Sequence, residues 1–112
     1  MKDKSMKIGI LGGGSWGTSL AILLDANEHD VCVWEYKKAV VEKVQLTGRN
    51  PEFLPEVDIP SGIEYTTDLK KTVTSKDLVL VVLPSHVVGE AAASLGNLDL
   101  GDCMLVSCTK GI

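Results

Sequence analysis

The stretch Lys7-Ile8-Gly9-Ile10-Leu11-Gly12-Gly13-Gly14-Ser15-Trp16-Gly17-Thr18 decides how this chain folds. Ile8, Ile10 and Leu11 make residues 7–11 a strand, the glycines end it, and helical spacing takes over behind them. Gly12, Gly14 and Gly17 stand in G-x-G-x-x-G register. That pattern is weak alone and informative directly after a strand and at the mouth of a helix. Each glycine has a mechanical task. Gly12 permits the tight turn out of the strand, Gly14 lets the backbone approach a pyrophosphate, and Gly17 lets the helix pack closely on the strand. The free N–H groups of the first helical turn, with the positive end of the helix dipole, then face the anion. No Gly-Lys-Ser/Thr follows, so the loop is not a P-loop. The plain alternative is a glycine turn with no ligand.

Outward from this stretch, short apolar runs alternate with amphipathic ones. Residues 16–25 read as a helix with Leu20, Leu23 and Leu24 along one face, and 30–34 (Asp-Val-Cys-Val-Trp) as a second strand. A helix over 37–46 turns Val40, Val41 and Val44 inward, and Gly48 stops it. Residues 50–60 carry Pro51, Pro55 and Pro60 and read as an ordered excursion. Residues 63–66 make a third strand, and Asp68 caps a short helix through Val73. The run Leu78 to Leu83 is apolar on every side, as a strand buried on both faces should be. Pro84 closes it, and Ser85 caps a helix carrying Val87, Val88, Ala91, Ala92 and Leu95. Met104-Leu105-Val106 is the fifth strand.

Such alternation predicts an α/β fold: a Rossmann-type, doubly wound parallel sheet with right-handed crossovers and helices on both faces. The expectation is one dinucleotide-binding domain over residues 1–112, truncated after the fifth strand where a sixth would ordinarily follow.

Composition narrows the function classes. The chain is 45% hydrophobic and 23% charged, an ordinary globular balance. A formal charge of −4 gives no global positive field for a nucleic-acid backbone, so nucleic acid is not an expected partner. Any phosphate must be gripped locally by backbone N–H groups. Cys32, Cys103 and Cys108 form no CxxC and no zinc pattern; they read as small apolar side chains on or beside strands in a reducing compartment. Neither a signal peptide nor a membrane span is legible, and the expected location is cytoplasmic.

Glu35 stands at the end of the second strand, about 20 residues past the loop, where an acid bonds the adenosine ribose hydroxyls and repels a 2′-phosphate. The reading is NAD over NADP, the alternative being a solvated charge at a strand end. Tyr36 can lie flat against an adenine. Lys37 and Lys38 soften the rejection of a 2′-phosphate, so NADP stays open as the second cofactor.

These residues resemble one family, the NAD(P)-dependent glycerol-3-phosphate dehydrogenases, from Lys7 to Ile112. The marks are Gly12-Gly13-Gly14-Ser15-Trp16-Gly17-Thr18, Val33-Trp34, Asn50-Pro51-Glu52-Phe53-Leu54-Pro55, Thr67-Asp68-Leu69, Val82-Leu83-Pro84-Ser85-His86 and Thr109-Lys110-Gly111-Ile112. The glycine loop is widely shared among dehydrogenases, whereas the Phe-Leu-Pro and Thr-Lys-Gly segments are far more particular. The resemblance implies hydride transfer between a nicotinamide ring and C2 of dihydroxyacetone phosphate, giving sn-glycerol 3-phosphate for phospholipid synthesis. It implies cofactor contacts at Ser15 and Trp16 in the loop and at Tyr36 near the adenosine end, beside those already read from the motif at Gly12, Gly14, Gly17 and Glu35; Pro84 joins the cofactor-binding set by shaping the cleft. Lys110 matches a lysine that touches both cofactor and a small phosphorylated substrate, a surface lysine being the alternative. Phe53 shapes the cleft or packs in its loop.

The family's general acid/base is a lysine on a helical C-terminal domain, so no catalytic residue is assigned within these 112 residues, and no metal ligand. Slow or absent turnover by this segment is expected, with a homodimer left open for the full-length protein. His86 reads as helix-start surface rather than a catalytic group. Two departures stand out: Asn27-Glu28-His29 replaces the family's Gly-His, with Asn27 expected to take the left-handed cap, and Glu35-Tyr36 replaces a small residue followed by a basic or imidazole one. Rival readings are a hydroxyacid or ketopantoate-type dehydrogenase, and a nucleotide-sensing module without chemistry.

Overall fold

The computed structural model describes residues 5–52, 55–83, 85–96, 101 and 103–108. Five parallel strands, β1 (Lys7–Leu11), β2 (Asp30–Trp34), β3 (Glu64–Thr66), β4 (Leu78–Val81) and β5 (Met104–Ser107), form one sheet in the order β3-β2-β1-β4-β5. Helices α1 (Ser15–Ala26), α2 (Lys38–Thr47), α3 (Leu69–Val73) and α4 (Ser85–Leu95) make the crossovers. The strand order reverses between β1 and β4, where open α/β sheets place their ligands beyond the carboxyl ends of the strands. The expected doubly wound parallel sheet is therefore present through its fifth strand.

Period-two alternation divides the core between the two faces. Ile8 and Ile10 of β1, with Val31 and Val33 of β2, pack under Ala21 of α1 and Val40, Val41 and Val44 of α2. Leu11, Val79 and Val81 point to the other face, against Val73 of α3 and Val87, Ala91 and Leu95 of α4. Each such buried aliphatic side chain contributes about 1.5–3 kcal/mol relative to exposure, which makes β1 and its flanking strands the rigid base of the molecule. β5 differs, since Met104 and Leu105 remain exposed.

Most elements fall within a residue or two of their expected bounds. The differences have physical causes. Leu23 does not face the core; it is 58% exposed, and α1 buries Gly17, Thr18 and Ala21 instead. Small side chains let this helix lie close on the sheet, while Leu20 and Leu24 pack against the core from its edge and only Leu23 of the three turns to solvent. Asn27 does not take the left-handed cap. Its φ is −93°, and Glu28 adopts φ 67° in its place. Asn27 closes the helix in another way, its Nδ2 donating to the Leu23 carbonyl at 2.8 Å. Gly48 does end α2 in the left-handed region, at φ 73°. Asp68 caps α3 by accepting from the Lys71 N–H. The Ser85 side chain lies outside what is described. Cys32 is buried, whereas Cys103 and Cys108 are half-buried. Among the described residues no helix is long and apolar enough to cross a membrane.

Gly9 carries a constraint that its place in a strand does not announce. A Cβ there would lie 2.1 Å from the Thr72 carbonyl oxygen of α3, so α3 rests on bare backbone. Overpacking of this kind costs about 1–3 kcal/mol. Gly9→Ala is expected to lower the unfolding free energy by that amount in a urea titration, and an unchanged midpoint would contradict the close α3–β1 contact.

Candidate functional site

The site begins where β1 stops. The chain turns at Gly12 with φ 125°, and the Gly12 N–H donates to the Trp34 carbonyl at 2.8 Å, which stitches the turn to the end of β2. A Cβ on Gly12 would sit 2.4 Å from the Val82 carbonyl oxygen, and one on Gly17 would sit 1.9 Å from that of Gly12. Both glycines are demanded by the protein's own packing. Gly14 is not. Its φ of −72° suits any residue, and among the described residues nothing beyond its chain neighbours lies within 4 Å of where its Cβ would be. Gly14 is also the N-cap of α1, which has no side-chain cap and no acidic residue in its first turn. The helix thus offers its early N–H groups and positive dipole end to the open space beside Gly14. Ser15 is exposed at this turn, as is Trp16 at 55%.

Beneath the loop lies a polar cluster. The Gly13 carbonyl accepts from Asn50 Nδ2 at 2.7 Å and from Thr18 Oγ1 at 3.2 Å. Thr18 Oγ1 is also hydrogen-bonded to the Tyr65 hydroxyl, and the Asn50 side chain reaches Tyr65 as well. Thr18 and Asn50 are completely buried, Tyr65 nearly so. Burial pushes the Tyr65 phenol above its ordinary pKa; the bonds to Thr18 and Asn50 pull it down, and the charge of Glu35 pushes it up. Among the described residues no buried side-chain polar atom lacks a partner.

Glu35 has a different environment from the one its sequence position suggests. It is not a solvated charge, being only 3% exposed. Oε1 accepts from the Gly13 N–H at 3.2 Å and Oε2 from the Lys37 N–H at 2.8 Å. The carboxylate therefore supports the glycine loop from below. Tyr36 projects beside it, 46% exposed, its ring 6.1 Å from that of Trp34 in a tilted arrangement. Lys37 does not stand alone at this corner: its Nζ is 2.7 Å from Glu52 Oε1 in the excursion. That pairing holds the Lys37 ammonium above its ordinary pKa.

The structure thus brings Gly12, Gly14, Ser15, Trp16 and Gly17 to the mouth of α1, with Glu35 and Tyr36 at the adjoining end of β2. Pro84, Lys110 and Phe53 lie outside the described residues, as does the His86 side chain. Among the described residues no cluster of metal-ligating side chains occurs. The sequence assigns no site role to Thr18, Asn50 or Tyr65, although Thr18 and Asn50 fall in segments that mark the resemblance. They are separated by 15 to 47 residues along the chain, and only the Asn-Pro pair at 50–51, a frequent turn former, hints that Asn50 has a backbone task.

Residues 7–112 match the family model described as the NAD-dependent glycerol-3-phosphate dehydrogenase N-terminus. A glycerol-3-phosphate dehydrogenase [NAD(P)+] of Thermoanaerobacter sp. is 40% identical over 107 residues, which is 96% of this chain and 32% of that protein. The corresponding protein of Xanthomonas campestris pv. campestris is 37% identical over 111 residues, 99% of this chain and 33% of its own length. The crystal structure of glycerol-3-phosphate dehydrogenase from Coxiella burnetii superposes with a TM-score of 0.89 at 31% identity, covering 96% of this chain and 33% of that one. The chain spans about a third of the length of the relatives it matches. The glycine loop, its doubly wound sheet and the match over residues 7–112 place the chain in the NAD-dependent glycerol-3-phosphate dehydrogenase family, at its N-terminal part.

Proposed function

We propose that these 112 residues form the dinucleotide-binding domain of a cytoplasmic enzyme that interconverts dihydroxyacetone phosphate and sn-glycerol 3-phosphate and feeds phospholipid synthesis. The observation that carries this reading is the contrast among the loop glycines. Gly12 and Gly17 are required by protein atoms under 2.5 Å from a would-be Cβ, whereas among the described residues nothing beyond the chain neighbours lies within 4 Å of one on Gly14. A missing side chain that the fold does not need is explained by a ligand that approaches there, and the uncapped N-terminus of α1 suits a diphosphate. The nicotinamide cofactor supplies a hydride when bound. What this chain contributes is the grip: N–H groups from the Gly14–Gly17 turn for the diphosphate, and the Glu35–Tyr36 corner for the adenosine.

Proton transfer and most of the substrate phosphate site fall, in this reading, to a helical C-terminal domain of the family, with Lys110 and Pro84 contributing at the cleft. The full-length protein is read as acting on a small phosphorylated substrate. An NADH-oxidation assay with dihydroxyacetone phosphate is then expected to give little or no turnover with residues 1–112 alone. Near-normal turnover would overturn that division of labour.

NAD is the favoured dinucleotide over NADP. Glu35 keeps a carboxylate at the β2 end, and the Lys37 ammonium two residues on is paired with Glu52. Parallel fluorescence titrations are expected to show NADH binding roughly tenfold tighter than NADPH, a difference of about 1.4 kcal/mol. Equal or tighter NADPH binding refutes the preference. The glycine contrast gives a second expectation. Gly14→Ala should leave stability within about 1 kcal/mol of the parent, the scale of an N-cap exchange, while weakening NADH binding at least tenfold. Gly17→Ala should cost about 1–3 kcal/mol of stability, read by urea denaturation. A Gly14→Ala protein with undiminished NADH affinity would remove the basis for the assignment.

A further inference from the structure

Gly13 sits between two glycines, and this creates a difficulty for any anion-binding loop. Glycine backbones occupy left- and right-handed regions with similar ease, so the peptide joining Gly13 to Gly14 could rotate and turn its carbonyl oxygen outward. An outward carbonyl would repel a phosphate where an N–H should greet it. Something must hold that peptide.

Resting on the dinucleotide reading above, we propose that Asn50 is a positioning residue for the diphosphate, acting through the Gly13 carbonyl. In a trans peptide the C=O and the following N–H point in opposite directions, and the described chain contains no cis bond. Asn50 Nδ2 at 2.7 Å and Thr18 Oγ1 at 3.2 Å both donate to the Gly13 oxygen from the buried side. The Gly14 N–H is thereby aimed the other way, off the buried side, and among the described residues nothing beyond the chain neighbours lies within 4 Å of a would-be Gly14 Cβ. Glu35 fixes the neighbouring peptide through the Gly13 N–H, so both polar groups of Gly13 are held.

Asn50 is itself pinned. Its Oδ1 accepts from the Glu52 N–H at 3.2 Å, closing an Asx-turn over Pro51. Its side chain is fully buried and also bonds Tyr65, whose hydroxyl bonds Thr18. The proline-rich excursion is therefore part of the anion grip although it sends no side chain of this cluster into the open space: Asn50 acts from behind the loop.

The test separates diphosphate recognition from general stability by comparing two probes, ADP-ribose and adenosine. They share the nucleoside, and only the first carries a diphosphate. Asn50→Ala and the uncharged, similarly sized Asn50→Leu are titrated calorimetrically with both. The expected result is an ADP-ribose affinity reduced about tenfold, the scale of one oriented hydrogen bond, with adenosine affinity unchanged. Equal loss for both probes, or retained ADP-ribose affinity in a folded variant, overturns the positioning role.

Should both variants fail to fold, the unaltered chain supplies the answer by NMR. The Gly14 amide resonance must shift with ADP-ribose and stay still with adenosine; indifference to ADP-ribose overturns the proposal. An unaltered chain that binds neither ADP-ribose nor NADH refutes the dinucleotide reading itself. That outcome is distinct from failure of the Asn50 role, which requires ADP-ribose binding to survive.

Discussion

The arrangement of this domain depends on one peptide group. Gly13 sits where β1 has ended and α1 has not begun, with its carbonyl held by Asn50 and Thr18 and its N–H by Glu35. A glycine loop has no side chains with which to anchor itself, so apolar packing cannot fix its conformation. Hydrogen bonds from below must do so. Those partners come from four places: α1, the end of β2, the excursion and, through Tyr65, β3. Burying so many polar groups is costly unless each is satisfied, since an unpaired buried group costs roughly 1–3 kcal/mol. Here the donors and acceptors close on one another, and the cluster is a rigid floor rather than a liability.

This floor explains the position of the excursion. Residues 50–60 leave α2 after Gly48 and return toward β3, a detour a minimal βαβ unit does not need. Asn50 anchors its start under the loop, the Ile59 N–H bonds the Gly48 carbonyl at 2.7 Å, and Arg49 pairs with Asp58. Glu52 reaches Lys37 just beyond the end of β2. The exposed ion pairs add little, each worth about 0–1 kcal/mol. The buried amide carries the attachment, and the surface pairs set which charges face the open corner.

Legibility from sequence followed the range of the interaction. The sheet and helices were readable because alternation in β1 and β2, the inward valines of α2 and the cap at Asp68 are local patterns. The glycine motif was readable for the same reason. The leucine face of α1 holds for Leu20 and Leu24 and fails at Leu23, because helical spacing ranks bulk, whereas this helix makes its closest contacts through small residues and leaves Leu23 in solvent. The left-handed residue shifted from Asn27 to Glu28 because the helix ran one residue longer than its pattern. Glu35 was placed correctly in the chain, yet its attachment to Gly13 depends on how β1 and β2 register, with Leu11 beside Trp34. Asn50, Thr18 and Tyr65 are joined only by the fold, so no sequence window contains their relationship.

Small departures from the helix-start pattern follow from the same constraint. A Ser, Thr, Asp or Asn at the N-cap of α1 would satisfy an early N–H from within, and Gly14 leaves that task undone. The protein forgoes local helix stability at the mouth of α1 and recovers order through the cluster beneath. An N-terminus that is uncapped but rigidly held differs from one that frays: its N–H groups are already oriented when an anion arrives, so little ordering remains to be done at binding. The three-glycine turn and the buried amide of Asn50 are thus two halves of one solution, the first removing side chains from the ligand's path and the second removing the freedom that their absence creates.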